Sequence, residues 1–449
     1  MKLRKLFVQN LRCFEKLEID FDPRLTVIVA ENGAGKTTVL DAIAVGFGRL
    51  LTKLPGVSGI TSKESDIRIN QNEKQSPFLL YWLQAEASDS KKLIEWSGGR
   101  KRDSSPKTAV QIKENIDHNK ASVSLKQIDA YTNDLVDSEN DGKAYVMPVI
   151  AYYGTNRALM EEVKRRRNFK KEFRRFDALA GALEPNARFK TAFEWFNAME
   201  DVERRRKEEQ RDFNYRLPEL EAVRLAIQTV LGGFHNPRTE IGPLRFVIDR
   251  TMSDGTTKTF RITQLSDGYR VMLGLVIDLA RRMEQANPHL VKGGMTIANP
   301  LDLPAIVLID EVDLHLHPKW QQRVIADLQR TFRGAQFIIT THSPQVLTTV
   351  PASCIRIIEN GAVHAAPPGT EGAEASRLLK RVLGVDVRPP DSDATRELSE
   401  YLALVDADLW DSDRARELRQ KLDARYQGEE PALIDADLRI ENRKWELNK

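Results

Sequence analysis

The residues with the clearest chemistry in this sequence form a phosphate-binding loop. It joins the β-branched run Leu25–Val29 to a stretch with helical apolar spacing, and it reads Ala30, Glu31, Asn32, Gly33, Ala34, Gly35, Lys36, Thr37 and Thr38. Small residues let backbone N–H groups curl round a phosphate, a lysine reaches its β and γ oxygens, and a threonine hydroxyl holds Mg²⁺. Ala30 replaces the usual first glycine, which is tolerable if its φ is negative. We therefore expect an ATP–Mg²⁺ site with Lys36 on phosphate and Thr37 on the metal.

Two acidic residues that complete such a site come much later in the chain. Asp310 and Glu311 end the apolar run Ile306–Ile309. We expect Asp310 to bind Mg²⁺ directly or through water, and Glu311 to orient or deprotonate the attacking water. In a compact nucleotide-binding domain the two strands that carry these motifs lie side by side. A large insertion must therefore separate them along this chain.

A second anion site is indicated by Leu265-Ser266-Asp267-Gly268, which precedes a predicted helix from Tyr269 to Glu284. The N-terminus of a helix carries positive partial charge and attracts anions. Because the first loop already holds the phosphates of its own nucleotide, Ser266 and Gly268 make sense as contacts to the nucleotide of another protomer. This interpretation predicts a head-to-tail homodimer, or a larger assembly built from it, with two ATP molecules sandwiched between subunits.

Histidines near these motifs leave alternatives open. His342 follows the predicted strand Gln336–Thr340, where it could hydrogen-bond the γ-phosphate, although a histidine at a strand end is often structural. We favour the functional role for His342. His315 and His317, close to an acidic residue, could bind zinc. They lie, however, where a loop between protomers is expected, and no third ligand is apparent.

The elements that must position these residues alternate between short strands and helices. Short apolar runs such as Ala305–Ile309 are typical of buried parallel strands. Residues 61–141 have the pattern of strands with polar loops, with Thr132–Gly142 rich in turn residues. A hairpin is predicted around Ser253-Asp254-Gly255, and one helix is predicted from Pro318 to Phe332. Residues 158–230 are helical in pattern and dense in charge.

Composition describes an ordinary globular chain. The 449 residues are 41% hydrophobic and 30% charged, with a formal net charge of +3. No run of about 18 apolar residues is present, so no membrane partner is expected. The N-terminus lacks the apolar core of a signal peptide, and the two cysteines form no metal pattern. We therefore expect a cytoplasmic location.

The order of these motifs resembles that of the ABC-type ATPases of the recombination and SMC kind. The motifs that carry the resemblance are Asn10-Leu11-Arg12-Cys13-Phe14, the phosphate loop, Leu265-Ser266-Asp267-Gly268, Leu308-Ile309-Asp310-Glu311 and Thr341-His342-Ser343. The resemblance implies an α/β ABC-ATPase head, with a mixed sheet and flanking helices, that dimerises on ATP with Ser266 acting in trans. It also implies that Arg12 contacts nucleotide. The family's glutamine loop has one candidate, Gln84, which is equally well a plain surface glutamine.

The resemblance divides the chain into four predicted segments. They are an N-terminal lobe of the head, a charged helical insertion, a C-terminal lobe of the head and a helical partner-docking segment, at residues 1–155, 156–235, 236–365 and 366–449. The insertion is too short for a long coiled coil. An HNH nuclease needs histidines, and none follows His364. Asp406-Ala407-Asp408 resembles a nuclease motif but is better explained as a solvated helix face. We therefore expect no nuclease site in this chain.

Four further features resemble the ATPase subunit of Septu-type anti-phage systems, which is also found with some retrons. They are Tyr152-Tyr153-Gly154-Thr155-Asn156-Arg157, Trp195-Phe196, Leu314-His315-Leu316-His317-Pro318 and Arg388-Pro389-Pro390-Asp391. The resemblance implies a separately encoded HNH nuclease that docks on this protein and is controlled by its nucleotide state. Two other functions stay open, a DNA-repair ATPase resembling RecF and an ATP-binding scaffold without turnover. The basic run from Lys164 to Arg175 either contacts DNA or RNA or only solvates a helix.

Overall fold

The computed structural model describes residues 1–70, 72–88, 91–156, 172–185, 189–240, 244–288 and 299–447. The chain divides into two compact units, Met1–Leu378 and Leu379–Lys449. Most of the predicted basic run, residues 164–171, lies outside the described residues, as does Arg157.

Strands and helices alternate through the first unit, and helices alone make up the second. The strands are β1 (Lys2–Leu11), β2 (Phe14–Asp20), β3 (Leu25–Ala30), β4 (Phe78–Glu86), β5 (Leu93–Lys101), β6 (Val149–Tyr153), β7 (Phe234–Glu240), β8 (Arg245–Thr251), β9 (Thr257–Arg261), β10 (Ala305–Ile309), β11 (Ala335–Thr340), β12 (Ile355–Glu359) and β13 (Ala362–Ala365). The helices are α1 (Lys36–Lys53), α2 (Pro106–Asn115), α3 (His118–Ala121), α4 (Lys126–Asn140), α5 (Phe189–Gln210), α6 (Pro218–Val230), α7 (Asp267–Ala286), α8 (Pro318–Gln321), α9 (Val324–Thr331), α10 (Pro344–Leu347), α11 (Ala375–Arg381), α12 (Asp393–Asp406), α13 (Asp413–Tyr426) and α14 (Pro431–Leu447).

A six-stranded sheet forms the centre of the first unit, in the order β13-β12-β3-β11-β10-β6. All of its neighbours are parallel except β12 and β13. Every residue of β3, β10 and β11 is buried, as expected of continuous apolar runs in a parallel sheet. The expectation that the two motif-bearing strands are neighbours is wrong, because β11 lies between β3 and β10. All three strands still end at the same edge, where α/β sheets bind ligands.

A second, antiparallel sheet has the order β2-β1-β4-β5. Helix α1 contacts strands of both sheets. It is fastened to the second sheet by the indole of Trp96, whose Nε1 donates to the carbonyl of Gly46 at 2.8 Å and whose ring meets Phe47 edge-on at 5.3 Å. The helix that follows the phosphate loop is thus held between two sheets.

The segment 61–141 is more helical than predicted. Besides β4 and β5 it contains α2, α3 and α4, and α4 covers most of the Thr132–Gly142 stretch that was predicted to be turn-rich. Ile128, Thr132 and Leu135 are the buried residues of α4, and they recur at helical spacing within an otherwise polar sequence. With only three buried positions, this period is too weak to outweigh the turn-forming residues around it.

A third sheet, β7-β8-β9, is antiparallel. The predicted hairpin is confirmed as β8 and β9, whereas β7 was not predicted. Helices α5 and α6 confirm the helical character of the described part of the insertion, and α5 buries Phe196 against Phe246 with ring centroids 5.2 Å apart. The single helix predicted from Pro318 to Phe332 is wrong. It is broken between α8 and α9, because Arg323 adopts a non-helical ψ of −16° with φ −128°.

The second unit is a helical bundle with a core of its own. Helices α12, α13 and α14 bury Leu398, Tyr401, Leu418, Leu422 and Leu433 together. The predicted break at Arg388–Asp391 precedes α12, and Arg388 forms a two-pronged pair with Glu430 at 2.7 and 3.1 Å. The α/β class with a mixed sheet, flanking helices and a helical C-terminal region is therefore confirmed. Across the described ranges, no helix combines the length and the apolar character needed to cross a membrane.

Candidate functional site

The phosphate loop connects β3 to α1 in the conformation that its residue types predict. Gly33 and Gly35 have φ of 82° and 104°, values that strongly favour glycine, whereas Ala30 is not among the residues with positive φ. The Lys36 ammonium donates to the carbonyls of Ala30 and Glu31 at 3.0 and 3.1 Å, which curls the loop around its base. Asn32 and Ala34 lie on the exposed and half-exposed part of the loop, and Thr38 is buried in α1.

Gly35 is required for a second, steric reason. A Cβ at this position would lie 2.4 Å from the ring of Phe14 and 2.6 Å from Sγ of Cys13. The turn between β1 and β2 therefore presses against the start of α1. No acidic residue occupies the first turn of α1, so the positive end of this 18-residue helix is not neutralised from within.

The acidic pair meets the loop through a short chain of hydrogen bonds. The Thr37 hydroxyl donates to Oδ2 of Asp310 at 2.7 Å, and the Thr340 hydroxyl donates to Oδ1 of Asp310 at 2.6 Å. The backbone N–H of Glu311 donates to Oγ1 of Thr340 at 2.7 Å. Thr340 ends β11, so the strand inserted between β3 and β10 supplies the link between the two motifs. Glu311 has a φ of 47°, a strained value that sets its side chain apart from the strand.

The electrostatics of the loop are set by burial. Burial lowers the pKa of Lys36, and the charges of Glu311 and Asp310 oppose that shift. The pKa of His342 is also lowered, first by burial and then by the nearby Lys36 charge. His342 is therefore neutral near pH 7. Its Nε2 atom is buried and has no hydrogen-bond partner among the described residues.

These residues fit a nucleotide with a divalent cation. Thr37 and Asp310 place a hydroxyl and a carboxylate oxygen 2.7 Å apart, and oxygen ligands are those that Mg²⁺ prefers. The loop amides and Lys36 can hold phosphate oxygens. The orphaned Nε2 of His342 is a polar atom that a ligand oxygen would satisfy. Bound Mg²⁺ would neutralise phosphate charge, while Glu311 could orient or deprotonate water.

Arg12 is engaged with protein carboxylates. Its guanidinium pairs with Asp41 at 2.5 Å and with Asp66 at 2.9 Å. The hydroxyl of Tyr152 donates to the other oxygen of Asp41 at 3.0 Å. Arg12 thus ties the β1–β2 turn to α1 beside the loop, and its predicted contact with nucleotide stays a prediction.

Ser266 and Gly268 stand apart from the loop. Ser266 caps the N-terminus of α7, yet its hydroxyl makes no capping hydrogen bond. Gly268 lies against the loop after β10, where a Cβ would come within 2.5 Å of the carbonyl oxygen of His315. Both line a cavity of about 410 Å³ to which, among the described residues, the phosphate loop contributes none. Nothing in a single protomer therefore brings Ser266 onto the nucleotide held by its own loop.

The remaining candidates have structural partners. The Gln84 amide donates across the strands to Glu95 at 2.7 Å. Nδ1 of His317 accepts the backbone N–H of Lys319 at 3.3 Å and so caps α8. No group of three or more histidine, cysteine or acidic residues in the described ranges is arranged to hold a metal ion.

The Asp406-Ala407-Asp408 motif is paired as well. Asp406 accepts from Arg439 at 3.1 Å, and Asp408 accepts from Arg443 at 2.9 Å. Because arginines occupy both carboxylates, these contacts favour the interpretation of a charged helix surface over that of a nuclease site.

The sequence analysis missed a buried network beneath the site. The hydroxyl of Tyr153 donates to Asp278 of α7 at 3.0 Å. Arg281 and Arg282 donate to the same carboxylate at 2.8 and 2.7 Å. An aspartate with two arginines three and four residues later is visible in the sequence as a helical charge pattern. That pattern is ordinarily a surface feature, so it gave no sign of burial.

Comparison with known proteins adds a family to this geometry. A model of the AAA-domain family matches residues 5–231. The Retron Ec83 probable ATPase of Escherichia coli is 30% identical over 99% of this chain and 88% of its own length. The Retron Vc95 probable ATPase of Vibrio cholerae serotype O1 biovar El Tor is 26% identical over 80% of this chain and 73% of its own length.

Two further similarities are partial or distant. The Septu protein PtuA of Bacillus mycoides (strain KBAB4) is 36% identical over 19% of this chain and 10% of its own length. Among solved structures, an SMC head bound to the C-winged helix domain of ScpA superposes with a TM-score of 0.45 at 14% identity, covering 82% of this chain and 97% of that one.

Proposed function

Because this chain belongs to the AAA-domain family and is a full-length relative of a retron probable ATPase, we propose that it binds ATP with Mg²⁺ and hydrolyses it to ADP and phosphate. The observation that carries this proposal is the chain of hydrogen bonds from Thr37 through Asp310 and Thr340 to Glu311. It assembles a metal-binding hydroxyl, a metal-binding carboxylate and a candidate base at one strand edge. In this proposal Glu311 activates water, and His342 and Lys36 stabilise charge on the transferred phosphate.

We further propose that two heads sandwich two ATP molecules. Ser266 supports this arrangement, because its hydroxyl makes no capping bond and its cavity is separate from the phosphate loop. Residues 1–155 and 236–365 form the two lobes of the head in this proposal. A serine at a helix N-terminus in one protomer would then complete the phosphate site of its partner.

Replacing Ser266 by arginine is expected to block ATP-driven dimerisation while leaving ATP binding to the monomer within about twofold of wild type. The large cation would occupy the helix N-terminus and clash with an incoming protomer. Analytical ultracentrifugation with a non-hydrolysable ATP analogue measures the dimer, and a fluorescent analogue measures binding. Ser392, which caps α12 without a side-chain hydrogen bond, offers the matched control Ser392→Arg.

Mixed dimers sharpen this test. Subunits carrying Lys36→Ala, mixed with subunits carrying Ser266→Arg, should retain at most one intact composite site. Recovery of full hydrolytic activity in the mixture would contradict the sandwich, as would a Ser266→Arg protein that dimerises on the analogue like wild type.

We also propose that this ATPase regulates a separately encoded nuclease, of HNH type, in anti-phage defence in the cytoplasm. The similarity to retron ATPases along the whole chain, and to a Septu protein over a shorter stretch, supports the defence role. That full-length similarity also favours it over a DNA-repair ATPase resembling RecF. We propose that residues 366–449 include the docking segment. The second unit has a core of its own, and α14 exposes Ile434 and Leu438 at 52% and 54%.

Removing residues 391–449 should abolish association with the nuclease and spare ATP binding, because the phosphate loop lies in the first unit. Co-purification from the native operon measures the association. A gentler variant, Ile434→Ser with Leu438→Ser, should weaken it by at least about tenfold, since each lost apolar contact weakens binding. The matched control is Leu93→Ser with Val110→Ser, both exposed in the first unit. Association that survives the deletion would rule this segment out as the docking site.

A further inference from the structure

The cavity beside Ser266 has a composition that the proposed hydrolysis does not use. It is formed where the start of α7, the loop after β10, the start of α8 and the edge of β8 converge. Its volume is about 410 Å³, within the range of small-molecule pockets. Three cationic side chains line it, Arg250, Lys319 and Arg323, together with the imidazoles of His315 and His317. No carboxylate lines it among the described residues.

The cations of this cavity differ in how far they are already neutralised. Arg323 is paired with Asp327 at 2.6 Å. Arg250 and Lys319, in contrast, form no ion pair with any residue that the structure describes. A concave surface with two uncompensated cations and no acid attracts anions strongly, because the cavity walls focus the field.

Aromatic side chains fix Arg250 and give the cavity a flat apolar wall. The Arg250 guanidinium lies over the rings of Phe234 and Tyr269, with centroids at 5.1 and 5.2 Å. Tyr269 in turn meets Trp320 edge-on at 4.5 Å. A guanidinium held by rings instead of carboxylates keeps its hydrogen-bond donors for a ligand. Trp320, which is only half-buried, offers a surface on which a planar group can stack.

We propose that this cavity is a second nucleotide site, in which Arg250 and Lys319 hold phosphate oxygens and Trp320 packs against the base or ribose. The nucleotide has two possible sources. It is either the ATP carried by a second copy of this chain, in which case the inference rests on the proposed dimer, or a free nucleotide that binds a single chain. The chemistry that recognises it is the same in both cases.

The first arm of the test measures dimerisation. Arg250→Gln and, separately, Lys319→Gln should each raise by at least about tenfold the protein concentration needed for half-maximal dimerisation on AMP-PNP, because each removes a charged hydrogen bond to phosphate. Arg261→Gln and Lys258→Gln, on the neighbouring strand β9 and outside the cavity lining, are the matched controls. Lys319 is exposed, so its replacement leaves folding intact even if that of Arg250 does not.

The second arm uses Lys36→Ala protein, whose own phosphate loop is disabled, and measures AMP-PNP binding by equilibrium dialysis. A remaining site that is lost in the Lys36→Ala, Lys319→Gln double variant identifies a free nucleotide as the ligand. No remaining site, combined with the dimerisation shift of the first arm, identifies the ATP of a second copy.

The outcomes separate this inference from the proposed function. Unchanged dimerisation in both glutamine variants, with no site left in Lys36→Ala protein, would overturn the second nucleotide site while leaving the sandwich standing. Wild-type protein that never dimerises on AMP-PNP would instead refute the sandwich. In that event the dialysis arm alone decides, and a result without a second site overturns the inference.

Discussion

Replacing Glu311 by glutamine should lower the rate of ATP hydrolysis by about 10²–10⁴-fold while ATP binding stays intact. Glutamine keeps the size of the side chain but cannot accept a proton from water. The backbone N–H of residue 311 should still donate to Thr340, and Asp310 should still accept from Thr37, so the metal-binding atoms keep their positions. The dimer on ATP should therefore outlive that of wild type.

Phosphate release under saturating ATP, together with the lifetime of the ATP-bound dimer, measures this effect. Glu359 ends the neighbouring parallel strand β12 and is exposed, so Glu359→Gln is the matched control. Hydrolysis that continues at the wild-type rate in Glu311→Gln would contradict the assigned role of Glu311. Absence of turnover in the wild-type protein itself would favour the ATP-binding scaffold.

Replacing Asp278 by alanine should lower the free energy of unfolding by about 3–5 kcal/mol, because it leaves two buried guanidinium groups without a counter-charge. Asp278 is 3% exposed and accepts from Tyr153, Arg281 and Arg282. Burial alone would raise the pKa of Asp278, but the charges of Arg282 and Arg281 lower it to about 2. Its stabilising effect is therefore complete above the unfolded pKa of about 3.9 and is lost as pH falls toward 2.

Urea unfolding, followed by a probe of the first unit, measures the loss. Asp20→Ala is the control, because Asp20 pairs with Lys5 at 3.1 Å on the surface and such pairs contribute at most about 1 kcal/mol. Equal losses in the two variants would show that the buried network contributes no more than a surface ion pair.

Motif chemistry was the part of the site that could be predicted from sequence. The spacing of Gly33, Gly35 and Lys36 requires one loop conformation, and the structure has it. The apolar run before Asp310 likewise predicted a buried strand that ends at the site. Both are local patterns in which residue type and backbone geometry are directly linked.

Long-range order was harder to predict. Nothing in the composition of β11 distinguishes a central strand from one at the edge, so its place between β3 and β10, and hence the role of Thr340, could not be predicted. Helix α4 was missed because only three of its side chains are buried. The Asp278 network was missed because ion pairs on a helix look the same in sequence whether they face water or the core.

The adjacent tyrosines of β6 have a consequence for how two distant parts of the chain move. Successive side chains of a strand point to opposite faces. Tyr152 therefore grips α1, the helix of the phosphate loop, through Asp41, while Tyr153 grips α7, which begins at Ser266, through Asp278. Both tyrosines are almost completely buried, so neither bond can lengthen without opening the core. A displacement of α1 is thus passed through a single strand to α7, and two neighbouring residues act as the pivot by which one face of the head registers what the other has bound.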